Sequence, residues 1–432
     1  MKNKLKFYVN TAHRFLFGSE AGERTVIFAK NIILSFAGGL SAFAIFFAVS
    51  IMVARILGPE EYGKYSVVFS FAQILSLFFV FQLDVSTLYF LSPKSYKKSE
   101  FISSIIFLFL CNVIIFTFLA WLVYKLFMSA NISYIIFGGI IILAFSFAFK
   151  SMTDAFLRAK NKFSLQAIFK VLEALTVVIV LVILFFVLKH INYFSYVWAL
   201  SIGGFVFSVF GVSQIYRNFV LDRITKNTIK TIFRYNIIGV IGTVVGGIIK
   251  NIDKIIIVAI LGTKIGGIYA VYFMASVTVG SRIIQLFINV FFPTVRSNRI
   301  KGEIIFKKIN VLFTRTFIPL VFVSSGIVAV IILLYGSQYR FVWLWVVLAG
   351  IYIVVHFFAS LYNWLLSSIS RDGYKKYNLS MVYGAIVYIV VISIIFLAGY
   401  FGVASLFMSR IIFRLVSGLI SFDNLQKYYK LN

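Results

Sequence analysis

The sequence is poor in the residues that build disulfides, metal sites and water-facing surfaces. It contains one cysteine and three histidines among 432 residues. The lone Cys111 excludes a disulfide within the chain and a cysteine-based metal cluster, and the wide spacing of the histidines argues against a zinc site. Only 12% of the residues are charged, while 61% are apolar. Soluble domains carry about a quarter charged residues, so this composition predicts a chain embedded in lipid.

Long apolar stretches follow one another along the whole chain. A hydrocarbon core of about 30 Å requires about 20 apolar residues in a helix, and twelve stretches reach this length. Runs such as 101–127 lack the alternation of a transmembrane barrel, and a helix pairs its own backbone groups inside lipid. The sequence therefore predicts an all-α polytopic membrane protein with twelve transmembrane helices. The predicted spans are 30–54, 65–90, 101–127, 132–149, 166–188, 193–216, 235–261, 268–292, 311–335, 341–366, 378–400 and 402–422.

Positive charge alternates between successive loops. Of 41 Lys and Arg residues, 28 lie in the N-terminal arm, in every second loop and in the C-terminal tail, against six in the intervening loops. The positive-inside rule then places both termini in the cytoplasm. The net charge of +28 is assigned to loops facing anionic membrane lipids rather than to nucleic acid. Residues 1–25 are basic and aromatic, which predicts an interfacial amphipathic segment. Residues 423–432 are predicted to form a cytoplasmic tail.

An internal repeat divides the chain into halves. The pattern I-L-G-x4-G-x-Y follows the first span and recurs after the seventh span, 204 residues later. Glycines permit the unusual backbone angles of tight turns, which gives the pattern a structural reason. The repeat predicts two six-helix lobes, 26–216 and 235–422, joined by a cytoplasmic linker, 217–234, with a transporter's substrate site between the lobes. Matched positions are Gly58 and Gly262, Gly63 and Gly267, Tyr65 and Tyr269, Phe69 and Phe273, and Gly38 and Gly242.

The first motif, ARILGPEEYGKY at 54–65, includes Arg55 and Glu60 and resembles the opening of polysaccharide flippases. Asn251-Ile252-Asp253-Lys254, ahead of the second motif, is similar to the seventh-span signature of the same family. These are the Wzx-type repeat-unit translocases of the multidrug/oligosaccharidyl-lipid/polysaccharide (MOP) superfamily. The resemblance implies a MATE/MOP-like fold whose central cavity opens alternately to each side.

The same resemblance implies a cargo and a cellular setting. The expected cargo is an undecaprenyl-diphosphate-linked oligosaccharide for O-antigen, capsule or another exopolysaccharide. The expected location is the bacterial inner membrane, with inner-membrane lipids and the polymerase and chain-length regulator of the same pathway as partners.

Ten charged residues lie inside the predicted spans, seven of them cationic and three acidic. Each costs about 2.5–3.5 kcal/mol to insert, so such groups usually face a cavity or a partner. The cationic excess suits a diphosphate, which arginine grips with paired hydrogen bonds. The predicted substrate-binding residues are Arg282, Lys250, Arg410 and Arg414.

The carboxylates are the candidates for coupling to H⁺ or Na⁺, and no other cofactor is expected. Spacing of three residues predicts pairs of Lys170 with Glu173 and of Lys250 with Asp253. In one hypothesis, Asp253 holds Lys250 or Arg282 in a salt bridge that ion binding releases; in the other, it forms a fixed pair that helps assembly. The predicted ion-coupling residues are Asp253, Asp84 and Glu173, of which the family resemblance singles out Asp84 and Asp253, together with Arg282.

Other activities are weighed against this interpretation. Residues 58–64 match the start of a phosphate-binding loop, but Tyr65 replaces the required Ser or Thr and no strand precedes it. ATP is therefore not expected to power the chain directly, and we expect a transporter rather than an enzyme. A cation-coupled drug or small-solute antiporter of the same superfamily stays open, although its cavity should be acid-rich. A membrane polysaccharide polymerase is the second alternative, although it should carry a large periplasmic loop.

Overall fold

The computed structural model describes residues 23–91, 98–129, 132–214, 216, 222–282, 284–285 and 299–429, which form helices joined by short turns. We refer to α1–α6 as the N-terminal lobe and to α7–α12 as the C-terminal lobe. The first six helices are α1 (Glu23–Val80), α2 (Leu83–Leu91), α3 (Lys98–Val123), α4 (Tyr134–Ala159), α5 (Phe163–Val182) and α6 (Tyr193–Ser213). The second six are α7 (Lys226–Leu261), α8 (Thr263–Phe273), α9 (Arg299–Tyr335), α10 (Trp343–Ile369), α11 (Arg371–Leu397) and α12 (Val403–Tyr429).

The helices bear out the predicted all-α membrane architecture. Within the described residues, nine helices are long and apolar enough to cross a membrane. The first of them, Gly38–Val80, is 43 residues long and covers most of the first predicted span and most of the second. The seventh and eighth predicted spans fall on α7 and on the segment that begins with α8.

Parts of five predicted segments lie outside the described residues. These are 1–22 of the interfacial segment, 215 of the sixth span, 217–221 of the linker, 283 and 286–292 of the eighth span, and 430–432 of the tail. The described end of the linker belongs to α7, which begins at Lys226, and most of the tail continues α12 to Tyr429. The orientation of both termini stays a prediction.

The second predicted span, 65–90, is not one continuous helix. α1 ends at Val80 and α2 begins at Leu83, because Phe81 and Gln82 adopt positive φ angles of 46° and 63°. Such angles are costly for residues other than glycine. The break is held from the other lobe, since Gln82 Nε2 donates to the Gly239 carbonyl of α7 at 3.2 Å. A tertiary contact therefore sets this interruption.

The two repeat motifs form matching turns. Gly58 has φ 71° and ψ 172°, and Gly262 has φ 85° and ψ 168°. Both angles lie in the left-handed half of the map that glycine enters without a steric penalty. Pro59 follows Gly58 at the first position of the next helical segment, where a missing N–H costs nothing. The repeat seen in sequence is thus a repeat in backbone conformation.

The next glycine of each motif is where the two lobes touch most closely. A Cβ atom on Gly63 would lie 1.9 Å from the carbonyl oxygen of Thr263, and one on Gly267 would lie 1.8 Å from that of Pro59. Real Cβ atoms do not approach other atoms this closely. The second part of α1 and the start of α8 therefore cross with their backbones in contact. We call this crossing the outer junction, because the loop charges predict that this end of the helices faces outward.

Neutral hydrogen bonds between the lobes surround the outer junction. The hydroxyl of Ser50 bonds both Tyr62 and Tyr335, each at 2.9 Å, and so ties α1 to the end of α9. Tyr339 donates to the carbonyl of Ala54 at 2.9 Å. These bonds link the first and ninth predicted spans at one end of the molecule.

We predict that Gly63→Ala and Gly267→Ala each destabilise the protein by about 1–3 kcal/mol, because the added methyl group forces the crossing apart. The matched control is Gly39→Ala, a helical glycine of the same lobe where an added Cβ would meet no atom within 4 Å. Apparent melting temperatures in detergent would measure the effect. If Gly63→Ala melts at the same temperature as Gly39→Ala, the backbones do not cross as described.

Candidate functional site

A buried ion pair lies at the centre of the C-terminal lobe. Asp253 of α7 is fully buried, and Arg410 of α12 is 2% exposed. The Arg410 Nε donates to Asp253 Oδ2, and Tyr269 of α8 donates to the same oxygen at 2.6 Å. Tyr388 of α11 donates to Oδ1. One carboxylate therefore holds four helices together, with three donors satisfying its charge.

The remaining bonds of Arg410 also go to protein groups. One terminal nitrogen donates to the carbonyls of Ile249 and Lys250 at 3.1 and 2.9 Å. The guanidinium lies 4.7 Å from the ring centroid of Phe273, a distance typical of a cation–π contact. The expected salt bridge of Asp253 with Lys250 or Arg282 is wrong, because Arg410 fills that place. Whether the pair of Asp253 with Arg410 is fixed or released during transport stays a prediction.

The cations inside the N-terminal lobe are paired with acids. Lys150 of α4 lies 2.5 Å from Glu173 of α5, and Lys170 of α5 lies 3.5 Å from Asp154 of α4. Arg158 contacts the same Asp154 at 3.0 Å. The predicted pair of Lys170 with Glu173 is therefore wrong. Lys170 and Glu173 of α5 each pair with an opposite charge on α4, because α4 packs against the face of α5 that carries them.

Asp84, predicted to couple ion movement, begins α2 directly after the break. Its Oδ1 accepts from the backbone N–H of Val85 at 2.9 Å, and its Oδ2 accepts from the hydroxyl of Ser151 at 3.2 Å. Its carboxylate is half-buried, and its negative charge interacts favourably with the dipole at the N-terminus of α2. The structure places it away from Asp253, in the opposite lobe.

Three cations predicted to bind substrate form no salt bridge among the described residues, although Glu173 of α5 interacts electrostatically with Arg282. Lys250 is exposed and interacts electrostatically with Arg282, Arg410 and Arg414. Arg282 is exposed, and its guanidinium lies 5.7 Å from the ring of Phe43 in the N-terminal lobe. It therefore stands at the boundary between the lobes.

Arg414 lies one turn beyond Arg410 on α12 and is half-buried. Its Nε is buried without a hydrogen-bond acceptor, and one terminal nitrogen contacts the sulfur of Met381 at 3.9 Å. Together these residues form a set that we call the central cations. Its members are Lys250, Lys254, Arg282, Arg410 and Arg414.

The loop residues predicted from the motifs have structural partners. Glu60 lies 3.5 Å from Lys64, and the carbonyl of Arg55 accepts from Gln338 at 3.2 Å. Tyr65 packs against Tyr196, with ring centroids 4.4 Å apart and the rings tilted by 35°. Gly242 has no room for a side chain, because a Cβ there would lie 2.1 Å from the amide oxygen of Asn378. These residues bring elements into close contact.

Tyr388 and Lys254 belong to the site, although the sequence analysis assigns neither of them a role. Tyr388 gives no sequence signal, because it reaches Asp253 only through the packing of α11 against α7. Lys254 stands next to Asp253 as an intramembrane cation, which is a visible signal. It donates to Asn251 Oδ1 at 3.2 Å and is 4% exposed.

Comparison with known proteins agrees with this architecture. The family model described as "polysaccharide biosynthesis protein" matches residues 28–299. The chain belongs to this family. A comparison of this chain with curated proteins found no match.

Solved structures share its fold. A MATE transporter in complex with MaL6 has a TM-score of 0.59 at 11% identity, covering 95% of this chain and 97% of that one. An inward-facing multidrug-resistance MATE transporter of the MOP superfamily gives 0.58 at 14% identity, covering 93% and 99%. A MOP-superfamily transporter from Pyrococcus furiosus gives 0.60 at 12% identity, covering 93% and 96%. The chain is therefore a multi-pass membrane protein of the polysaccharide biosynthesis family with the fold of MATE and other MOP-superfamily transporters.

We predict that Asp253→Asn destabilises the protein by about 3–5 kcal/mol, because it leaves the Arg410 charge buried and unpaired. Asp423→Asn is the matched control, since it removes an exposed pair with Lys427 that contributes about 0–1 kcal/mol. Thermal unfolding and membrane yield would measure both. The double variant Asp253→Asn/Arg410→Gln should lose less stability than the two single losses added. Additive losses would show that the two residues do not act as a pair.

Proposed function

We propose that this protein is a flippase that moves diphosphate-linked oligosaccharides on a polyprenyl lipid from the cytoplasmic to the outer leaflet. The observation that carries the proposal is the set of unpaired cations where the lobes meet. Lys250, Arg282 and Arg414 form no salt bridge in the described part of the chain, and Glu173, the carboxylate that interacts with Arg282, is already bonded to Lys150. The Nε of Arg414 is buried without an acceptor. A cargo with two phosphates supplies the missing negative charge.

The distribution of charge between the lobes supports the same cargo. Each cation of the N-terminal core, such as Lys150 or Lys170, has an acidic partner within 4 Å. Among the described residues of the C-terminal lobe, Asp253 is the one carboxylate near the central cations, and it already forms a salt bridge with Arg410. The diphosphate should therefore bind on the C-terminal side of the cavity, with Arg282 closing it at the lobe boundary.

The polarity of the site disfavours the drug-antiporter alternative. A cationic drug would meet a net positive surface at Lys250, Arg282 and Arg414, which Coulomb repulsion opposes. The related Pyrococcus furiosus transporter is described as having a binding pocket of reverse polarity that suggests a different function. By analogy, polarity distinguishes cargo classes on this shared fold.

The cellular setting is part of the proposal. We infer a bacterial inner membrane from the family resemblance, and the alternating loop charges support a cytoplasmic position for both termini. The flipped unit would serve O-antigen, capsule or another exopolysaccharide, with the polymerase and chain-length regulator of that pathway acting next. A gradient of H⁺ or Na⁺ would drive the cycle. Since Asp253 is bonded to Arg410 and Glu173 to Lys150, Asp84 is the predicted coupling carboxylate that forms no salt bridge among the described residues.

We predict that Lys250→Gln, Arg282→Gln and Arg414→Gln each lower flipping about 10- to 100-fold, the value of one charged hydrogen bond of about 1.5–3 kcal/mol. Arg315→Gln, which removes an exposed cation of α9, is the control and should flip normally. The measurement scores lipid-linked sugars on each face of vesicles, with and without the protein.

Equal sugar labelling on the outer face with and without the protein would overturn the flippase proposal. A lipid-linked sugar that becomes longer, rather than merely changing face, would point to the polymerase alternative. Active flipping in all three glutamine variants would show that the cations do not hold the cargo.

A further inference from the structure

Lys254 is a buried cation on the line between the lobes. Its ammonium lies 4.5 Å from the ring centroid of Phe273 in the C-terminal lobe and 5.3 Å from that of Phe69 in the N-terminal lobe. Phe69 and Phe273 are matched positions of the repeat. The charge of Lys254 therefore lies between two equivalent aromatic rings, one from each lobe, and 4% of the residue is exposed.

The outer junction covers Lys254 from one side. Lys254 precedes the end of α7 by seven residues, which places it about 10 Å below the outer turn at 1.5 Å per residue. Phe69 and Phe273 each follow the junction glycines, Gly63 and Gly267, by six residues. Lys250 lies one turn deeper on α7 and is exposed. The two lysines thus stand one above the other, one accessible and one covered.

The charges around Lys254 leave it without a counter-ion of its own. On α7 it faces Lys250 and Asp253, and from α12 it faces Arg410. Asp253 is already bonded to Arg410, Tyr269 and Tyr388. From α1 and α8 the groups that contact the ammonium are the two phenylalanine rings. Its hydrogen bond goes to a neutral amide, Asn251, at 3.2 Å.

Burying an ammonium group beside like charges costs free energy. The two phenylalanine rings and the Asn251 amide offset only part of that cost. The cost is reduced when water or an anion reaches the group. Both would reach Lys254 if Phe69 moved away from Phe273 with its lobe. The contacts therefore describe a cation that is covered in this conformation and becomes available when the outer junction opens.

We propose that Lys254 is a second phosphate-binding station, covered in this structure, that receives the diphosphate from Lys250 when the lobes separate at the outer junction. This inference rests on the proposed function and adds a step to it. The anion moves about 6 Å outward along α7, one helical turn, between two lysines. Arg410 does not take part, because Asp253 holds it in place.

Inorganic pyrophosphate serves as the probe, with purified full-length protein in detergent and a Cys111→Ser background. We expect Lys254→Gln to weaken pyrophosphate binding about tenfold by calorimetry, and Lys254→Arg to restore it. In a second sample, Arg55→Cys and Gln338→Cys are joined by a short thiol crosslinker, since these residues already meet through the Gln338 bond to the Arg55 carbonyl. With the junction locked, Lys254→Gln and the parent should bind pyrophosphate equally, whereas Lys250→Gln should weaken binding in both samples.

Opening of the junction gives an independent readout. Ser50 lies in the junction and is 3% exposed, so a Ser50→Cys reporter should react slowly with a water-soluble thiol reagent. Because pyrophosphate at Lys254 selects the opened state, it should raise this rate several-fold, and Lys254→Gln should abolish the increase. Lys308→Gln, an exposed lysine on α9, is the matched control.

Three outcomes would overturn the proposal. They are the absence of pyrophosphate binding by the parent protein, equal binding by Lys254→Gln in the unlocked sample, and an equal loss in locked and unlocked samples. The last would make Lys254 a static contact. Pyrophosphate binding with these differences, but without flipping of lipid-linked sugars, would retain the second station while refuting the proposed cargo.

Discussion

The C-terminal lobe depends on the buried pair of Asp253 and Arg410. Inside lipid an unpaired carboxylate is costly, and here one guanidinium and two tyrosine hydroxyls satisfy it while joining α7, α8, α11 and α12. The same bond has a second effect. Because Asp253 is bonded to Arg410, it forms no salt bridge with the other central cations. A single interaction therefore stabilises the lobe and leaves its inner surface cationic.

The two lobes repeat in backbone but differ in chemistry. Gly58 and Gly262 share their angles, and Gly63 and Gly267 meet each other at the junction. At the same offset of 204 residues, however, Asp253 corresponds to Val49 and Lys254 to Ser50. A repeated scaffold with unequal side chains can bind the charged and uncharged parts of one cargo on different sides. The pairing of acids with cations in α4 and α5 keeps the N-terminal core close to neutral.

Features that depend on neighbouring residues in the chain could be predicted from the sequence, whereas features that depend on contacts between helices could not. Spans and repeat turns depend on local composition and on glycine, so Gly58, Gly262 and the helical class could be predicted from residue order alone. Ion-pair partners could not, because spacing along α5 matches Lys170 with Glu173 equally well, and only α4 packing decides otherwise. The break at Phe81 and Gln82 contains no glycine or proline. It exists because Gln82 bonds to α7, which no local pattern records.

The kinds of bond within and between the lobes explain how such a molecule can move. Every ion pair found among the described residues lies inside one lobe, such as Asp253 with Arg410 or Glu173 with Lys150. Around the outer junction the lobes are joined by neutral hydrogen bonds, as at Ser50 and Tyr335. Breaking a buried ion pair costs about 3–5 kcal/mol, whereas a neutral hydrogen bond contributes about 0.5–1.5 kcal/mol net because water replaces it. This difference in bond strength supports our proposal that the lobes separate at the outer junction.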